Sequence, residues 1–461
     1  MIEDYAHLYS KLYAGEVAAC FRFLDERAAA DGGTADYWHW RAVAHLRAGE
    51  FLRTVDLCCQ ITRRSNTFGF QMHALCDACA HLGLKEVALA MIEYVGTKPD
   101  VHPLMPFLWR VYGWHYLGAD EDVLNLSPEG VDEHSAYVLG HHQGRSAMRL
   151  NGIARGVELF HRYWSSREAR RVLFPHVDTE HYWCGDRALP AQMTLTSIAS
   201  GHGDQVNWVR YAGALQALGV HIEYNDGSDR TYRFAMPAAE QARDAEALRA
   251  AGFVVAADGA SWTEPFALFT SLFPVLGHAS SARYIEPIEP SSVDAIVGDI
   301  RRRAGGRRCV GIFWSSCDSA NNFANRSLTL PDLHPLFDST PDIHWVIMQR
   351  GFERKRWLDD PRAHESERFT TLPPDVTLAH SVNIVDALDA FVGNDGALSH
   401  IAGALGKACH LFLNEVAEWR YERDPHRTPW YPSMRLVRAR RLGDWDDVVR
   451  TLQRLLTSEA T

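Results

Sequence analysis

The chain has 461 residues, too many for one ordinary hydrophobic core, so two or three domains are expected. A hydrophobic content of 46% is that of a globular protein, while a formal charge of -11 and a pI near 6.1 exclude general nucleic-acid binding, which needs a basic face. Met1 to Ala14 holds neither a basic leader nor the apolar core of a secretion signal, and no apolar run approaches membrane-spanning length; a cytoplasmic chain with no membrane span is expected.

The first third repeats itself. Lys11-Leu12-Tyr13-Ala14-Gly15-Glu16 is matched by His45-Leu46-Arg47-Ala48-Gly49-Glu50 and echoed around Leu82, Leu117 and Leu150. These marker leucines are spaced 34, 36, 35 and 33 residues apart, the period of a helix-turn-helix repeat of the tetratricopeptide type. Each Leu ends a first helix, the Gly or small residue after it permits a tight turn, and an acidic residue opens the second helix. Residues 1–165 therefore read as an all-α tetratricopeptide-like solenoid. Its first helices carry Tyr37, Trp38, His39, Trp40, Trp109, Tyr112 and Trp114, and its concave face is expected to hold a protein or peptide, the alternative being that it braces the next domain. The nine cysteines are an odd, scattered set that fits reduced thiols. Cys76-Asp77-Ala78-Cys79 has redox or zinc spacing but no second Cys or His pair nearby, so it reads as buried small residues. His141-His142 reads as a polar helix surface.

Beyond about Arg170 the pattern becomes strand, loop, helix, in two similar halves, 166–290 and 291–461. In the first, Met193 to Ser200 reads as a strand, followed by Gly201-His202-Gly203-Asp204 and a helix from Gln205 to Leu218. A strand at Val220 to Tyr224, a helix from Ala238 to Ala251 and a strand at Phe253 to Ala256 come next, and the Pro-rich Ile285 to Pro290 reads as a linker. The second half opens with a strand at Cys309 to Trp314, a polar loop from Ser315 to Arg326 and a helix near Pro331 to Phe337. Strands follow at His344 to Met348, Leu388 to Val392 and Cys409 to Leu413. Strands alternating with helices imply parallel sheets, and two of them joined by a linker imply a cleft.

Ligands of parallel sheets meet the loops after the carboxyl ends of the strands. The most informative of these is Gly393-Asn394-Asp395-Gly396-Ala397-Leu398-Ser399-His400, where a strand becomes a helix. The N–H groups of Gly396, Ala397 and Leu398 suit an anion, Asp395 suits the N-cap, and His400 sits one turn in. A phosphate held there with Arg326, facing an acceptor activated by Asp204, would make a group-transfer site needing no metal, and no Asp-x-Asp follows an apolar strand. Asp204 reads equally as a helix cap. Gln349 is placed to contact a nucleotide or to be a surface amide. Trp419-Arg420 and Trp430-Tyr431-Pro432 either line the donor pocket or clamp the C-terminal helix.

Four segments in order resemble the bacterial glycosyltransferases that carry tetratricopeptide repeats. They are Gly203 to Tyr211, the Trp314-Ser315 to Arg326-Ser327 loop, Asn394 to Lys407, and Trp430 to Leu436. The catalytic part is similar to the lipopolysaccharide heptosyltransferases and, more distantly, to O-linked N-acetylglucosamine transferase. The resemblance implies a GT-B fold, two Rossmann-like domains with a cleft between them, 166–290 on the acceptor side and 291–461 binding a nucleotide sugar. It implies Asp204 as general base, Ser315, Arg326, Gln349, Asp395, Gly396, Ala397 and His400 at the donor, and His202, Gly203 and Arg420 as further contacts, with no cofactor beyond the donor. The implied reaction is sugar transfer to a protein hydroxyl. Alternatives are transfer to lipid or saccharide, or a transferase-like scaffold without catalysis. This chain departs from the pattern at Gly396, where a Thr or Ser is usual, and in Cys317 to Asn322, which lacks a Lys.

Overall fold

A computed structural model describes residues 16–64, 70–99, 101–102, 104–186, 188–196, 200–225, 231–279, 282–316 and 324–458, with Leu8, Lys11 and Leu12. The first repeat copy and the segment Cys317 to Asn322 thus lie partly or wholly outside the described residues.

Helices pair as the repeat period requires: Ala35–Arg47 with Phe51–Arg64, Phe70–Leu82 with Lys85–Gly96, Leu104–Tyr116 with Asp120–Asn125, and Glu133–Asn151 with Ile153–Phe160. The turn glycines Gly49, Gly83, Gly118 and Gly152 have φ of 70°, 71°, 72° and 86°, a left-handed conformation that a Cβ would strain. Starts are fixed locally: Thr34 accepts a hydrogen bond from the Tyr37 N–H at 3.2 Å, and Asp132 one from the Ser135 N–H at 3.0 Å. Cys76 and Cys79 are packed among Leu75, Ile92 and Trp109 in the solenoid core, where burial pushes the Cys79 thiol up to about 12. His141 and His142 are not a polar surface. His142 is buried, and the two rings belong to a run of aromatic contacts from Tyr112 to Trp164, edge-on at Tyr112–His142 and His141–His142 and tilted at His141–Trp164.

The first α/β half is built on β1 (Gln192–Thr196), β2 (His221–Asn225) and β4 (Ala260–Thr263), parallel in the order β2-β1-β4. β3 (Arg233–Phe234) pairs antiparallel with β5 (Ile285–Glu286), so the stretch read as a linker begins as a short strand. The strand expected at Phe253 to Ala256 is reduced to a single bridge from Val255 to Leu189, because Val254 is 65% exposed and the run never enters the sheet. Instead β4, whose Ala-Ser-Trp-Thr gives no apolar signal, pairs with β1.

The second half holds six parallel strands: β6 (Arg308–Phe313), β7 (Ile343–Ile347), β8 (Phe369–Thr371), β9 (Ala390–Gly393), β10 (Cys409–Leu413) and β11 (Met434–Arg438). Their order, β11-β10-β9-β6-β7-β8, reverses direction between β6 and β9, the doubly wound pattern with its switch point at that pair. β7, β9 and β10 are buried at every position, as central strands covered by helices on both faces must be. The chain is thus an all-α repeat domain followed by a GT-B fold.

Candidate active site

The switch point puts the loops after β6 and β9 side by side. After β9, Asn394 and Asp395 lead into the helix Ala397–Ala404. Its N-cap is Gly396, not Asp395, and the Asp395 carboxylate turns away to accept a hydrogen bond from the Tyr421 hydroxyl at 2.7 Å, with His400 Nε2 at 3.4 Å. Burial alone would raise this carboxyl, but the His400 hydrogen bond and the Arg420 and Arg326 charges outweigh it and hold it below the usual carboxylate range. Burial lowers the His400 imidazole against the opposing pull of Asp395, and its Nδ1 lies 2.8 Å from the Tyr431 hydroxyl. Both ring nitrogens of His400 are therefore held by protein groups. Asn394, fully buried, has neither side-chain atom bonded within the protein.

After β6, the Gln349 amide ties the turn. Its Oε1 accepts from the Trp314 and Ser315 N–H groups at 3.0 Å each, and its Nε2 donates to the Ser315 and Arg350 carbonyls at 2.9 and 3.0 Å. Gln349 is 2% exposed, so it is neither a surface amide nor an open contact; with Ser315 it forms the support behind the site. Arg326 stands at the front. It donates to the Asp395 carbonyl at 3.3 Å and the Ser316 hydroxyl at 3.2 Å, leaving a buried Nε with no partner among the described residues.

The opposite wall is the helix His202–Trp208. Asp204 is its third residue and bonds back to the Gly201 N–H at 3.0 Å, the carboxylate half of a capping box. Its other oxygen accepts from Arg420 Nη2 at 2.7 Å. The two walls expected to face each other across the cleft are thus joined. Gly203 makes this approach possible, since a Cβ there would stand 2.8 Å from His400 Cδ2 and 3.6 Å from Ala397 Cα. His202, one residue earlier, is exposed, with Nδ1 3.4 Å from Gln205 Oε1.

Arg420 is the centre of charge. It is 7% exposed, its guanidinium lies 5.7 Å from the Trp208 ring and 5.6 Å from the Trp419 ring, and its Nε and Nη1 have no hydrogen-bond partner among the described residues. Burial works against its charge, but Asp204, Asp395 and Glu418 more than compensate and keep it protonated. Behind it Glu418 accepts from Arg145 of the repeat domain at 2.6 and 2.7 Å. A second buried cation, Arg210, staples the halves. It donates to the Trp430 carbonyl at 2.7 Å and the Tyr284 hydroxyl at 3.0 Å, with the Tyr284, Tyr431 and Trp430 rings 4.7, 4.9 and 5.2 Å away. Trp430 and Tyr431 therefore clamp Arg210 at the domain junction. A lone Arg between Val209 and Tyr211 was the available sign of this, since a buried guanidinium needs aromatic and carbonyl partners.

The repeat domain grips the same loops. Asp77 accepts from the Asn325 N–H at 2.9 Å, His81 Nδ1 lies 2.9 Å from the Ala324 carbonyl, and Arg149 donates to the Ala417 carbonyl at 3.2 Å. Asp77 and His81 stand at the same places before Leu82 as Arg145 and Arg149 before Leu150, so the same positions of two first helices make these contacts.

No protein-family profile matches the chain, and no curated protein matches it. Among solved structures it is similar to a mutant of the Thermobaculum terrenum O-GlcNAc transferase, at 12% identity over 99% of this chain and 90% of that one, with a TM-score of 0.33. A likeness at that score carries none of the functional reading below.

Proposed function

We propose that the chain is a glycosyltransferase that moves a sugar from a nucleotide donor to a hydroxyl group. The observation that supports this most is Arg420, a buried cation at the carboxyl ends of the second sheet, with two buried nitrogens that have no hydrogen-bond partner among the described residues and a third on the carboxylate of the other half. Breaking a bond from sugar to diphosphate leaves negative charge on phosphate oxygens. Arg420, Arg326 and the first N–H groups of Ala397–Ala404 would stabilise that charge without a metal. Asp395 and His400 set the position of these groups, and Asp204 would take the acceptor proton.

The Arg420 contact to Asp204 gives the two half-reactions a shared residue. A diphosphate that draws Arg420 toward itself releases one Asp204 oxygen, which is then free to accept the hydrogen bond of an acceptor hydroxyl. The test is release of nucleoside diphosphate from UDP-, GDP-, ADP- and dTDP-sugars with pooled acceptors. Asp204→Asn should abolish transfer while nucleotide binding survives; transfer equal to wild type would remove Asp204 as base. A second reading, a nucleotide-binding protein without turnover, is favoured by Asp204 having both oxygens engaged. It predicts nucleotide binding with no transfer to any acceptor.

A further inference from the structure

A cavity of about 640 Å³ lies in the first α/β half, over the carboxyl ends of its strands. Leu195 and Thr196 at the end of β1, Tyr224 in the last turn of β2, and Pro265, which opens the helix after β4, all line it. That is where a parallel sheet takes a ligand, and the volume is that of a small-molecule site, typically about 300–1,000 Å³. Its described walls mix apolar Val209, Ile222, Phe234 and Leu268 with the polar Gln205, Gln216, Thr231 and Tyr224. The two charged residues on its described wall lie toward solvent. Arg233 has a side chain 70% exposed and is paired with Glu286 at 3.0 Å, and Glu289 is exposed. Gln205, the residue after Asp204 on the same helix, also lines the cavity.

We propose that this cavity holds the acceptor, and that the acceptor is a small uncharged hydroxyl compound with an apolar body, an aryl or alkyl alcohol. This rests on the transfer reading above. A mixed apolar and polar wall suits an uncharged body with a hydroxyl, and among the described residues the one lining cation, Arg233, is paired with Glu286, which disfavours an anionic occupant. Asp77, His81, Arg145 and Arg149 of the repeat domain are engaged with the chain's own 324–325 and 417–418 segments. In the reaction the acceptor O–H proton passes to Asp204. The oxygen forms a bond to the anomeric carbon as the bond from that carbon to the phosphate oxygen breaks, and the electron pair leaves with the nucleoside diphosphate.

The experiment uses the full chain and an uncharged fluorescent probe, N-phenyl-1-naphthylamine, with Leu268→Trp and the milder Val209→Phe to fill the cavity. Saturable one-site binding by wild type, weakened at least tenfold in a variant that keeps wild-type circular dichroism, supports the proposal. Absence of saturable binding by wild type, or wild-type binding by both folded variants, overturns it. Nucleoside diphosphates are titrated in parallel against thermal melting. Failure there would count against the transfer reading alone, since the probe measures the cavity without it. In a separate transfer assay, aryl alcohols should be glycosylated and unstructured peptides should not; the reverse result overturns the acceptor assignment.

Discussion

Replacing Arg145 by Met removes the link between the repeat domain and the loop that carries Arg420. Arg145 Nη2 reaches both Glu418 oxygens, at 2.7 and 2.6 Å, and the two side chains are each 12% exposed. Burial would raise the Glu418 carboxyl, yet Arg145 first and Arg420 second hold it below its ordinary value. Without Arg145 a carboxylate is left in a domain interface, a change that costs about 3–5 kcal/mol when a buried pair loses one partner; the slight exposure argues for about 3. Local opening of the 414–421 segment should then become roughly 100-fold more frequent, read as faster amide hydrogen exchange there. Arg53→Met, which breaks a pair whose side chains are 55% and 50% exposed, should change exchange little, since such pairs contribute about 0–1 kcal/mol. Because the Glu418 pKa is depressed, its stabilisation is complete above the ordinary carboxylate value and is lost as pH falls through the folded one. The Arg145→Met effect should therefore shrink in acid. Exchange at 414–421 within threefold of wild type at neutral pH would refute the reasoning.

Three other outcomes are expected. Burial holds His39 and His73 near 4 and His115 and His142 well below the usual imidazole value, so their stabilisation is present above about pH 6.5 and lost as pH falls toward 4. At pH 5 each should cost on the order of 1–2 kcal/mol, and the urea midpoint of helix loss should drop clearly between pH 7 and pH 5; an unchanged midpoint contradicts this. Gly203→Ala drives a methyl toward His400 and Ala397 and should destabilise by about 1–3 kcal/mol in thermal melts, whereas Gly201→Ala, whose Cβ meets nothing nearer than Asp204 Oδ2 at 3.9 Å, should be close to neutral. Arg210→Lys keeps the charge but loses the forked bonds and ring stacking, and should cost about 3 kcal/mol in denaturant melts. A loss under about 1 kcal/mol would show that Arg210 does not staple the halves.

What was legible in the sequence followed from short-range periodicity. Leucine markers and turn glycines set the repeats, and apolar runs such as Cys409 to Leu413 mark the buried strands. β4 escaped because Ala260 to Thr263 offers no apolar run, and Phe253 to Ala256 misled because an apolar run need not be buried. The site residues Asp204, Arg326, Asp395 and His400 do come together, but their partners were out of reach. Arg145 and Glu418 are 273 residues apart and Asp204 and Arg420 are 216 apart, and no local pattern announces a pair that exists only once three domains meet. The Asp395 N-cap failed for a related reason. A local reading assigns the carboxylate to the nearest free N–H, whereas the fold offers it the Tyr421 hydroxyl and the His400 ring.

In the proposed reaction Arg420 holds the diphosphate of the nucleotide donor. Titration calorimetry with UDP, GDP, ADP and dTDP, on wild type and Arg420→Met, measures that hold. At least one nucleotide should bind wild type at a single site, and Arg420→Met should weaken it at least tenfold, while Arg53→Met binds as wild type. Binding unchanged in Arg420→Met, or no nucleotide binding by wild type, would rule out this role for Arg420.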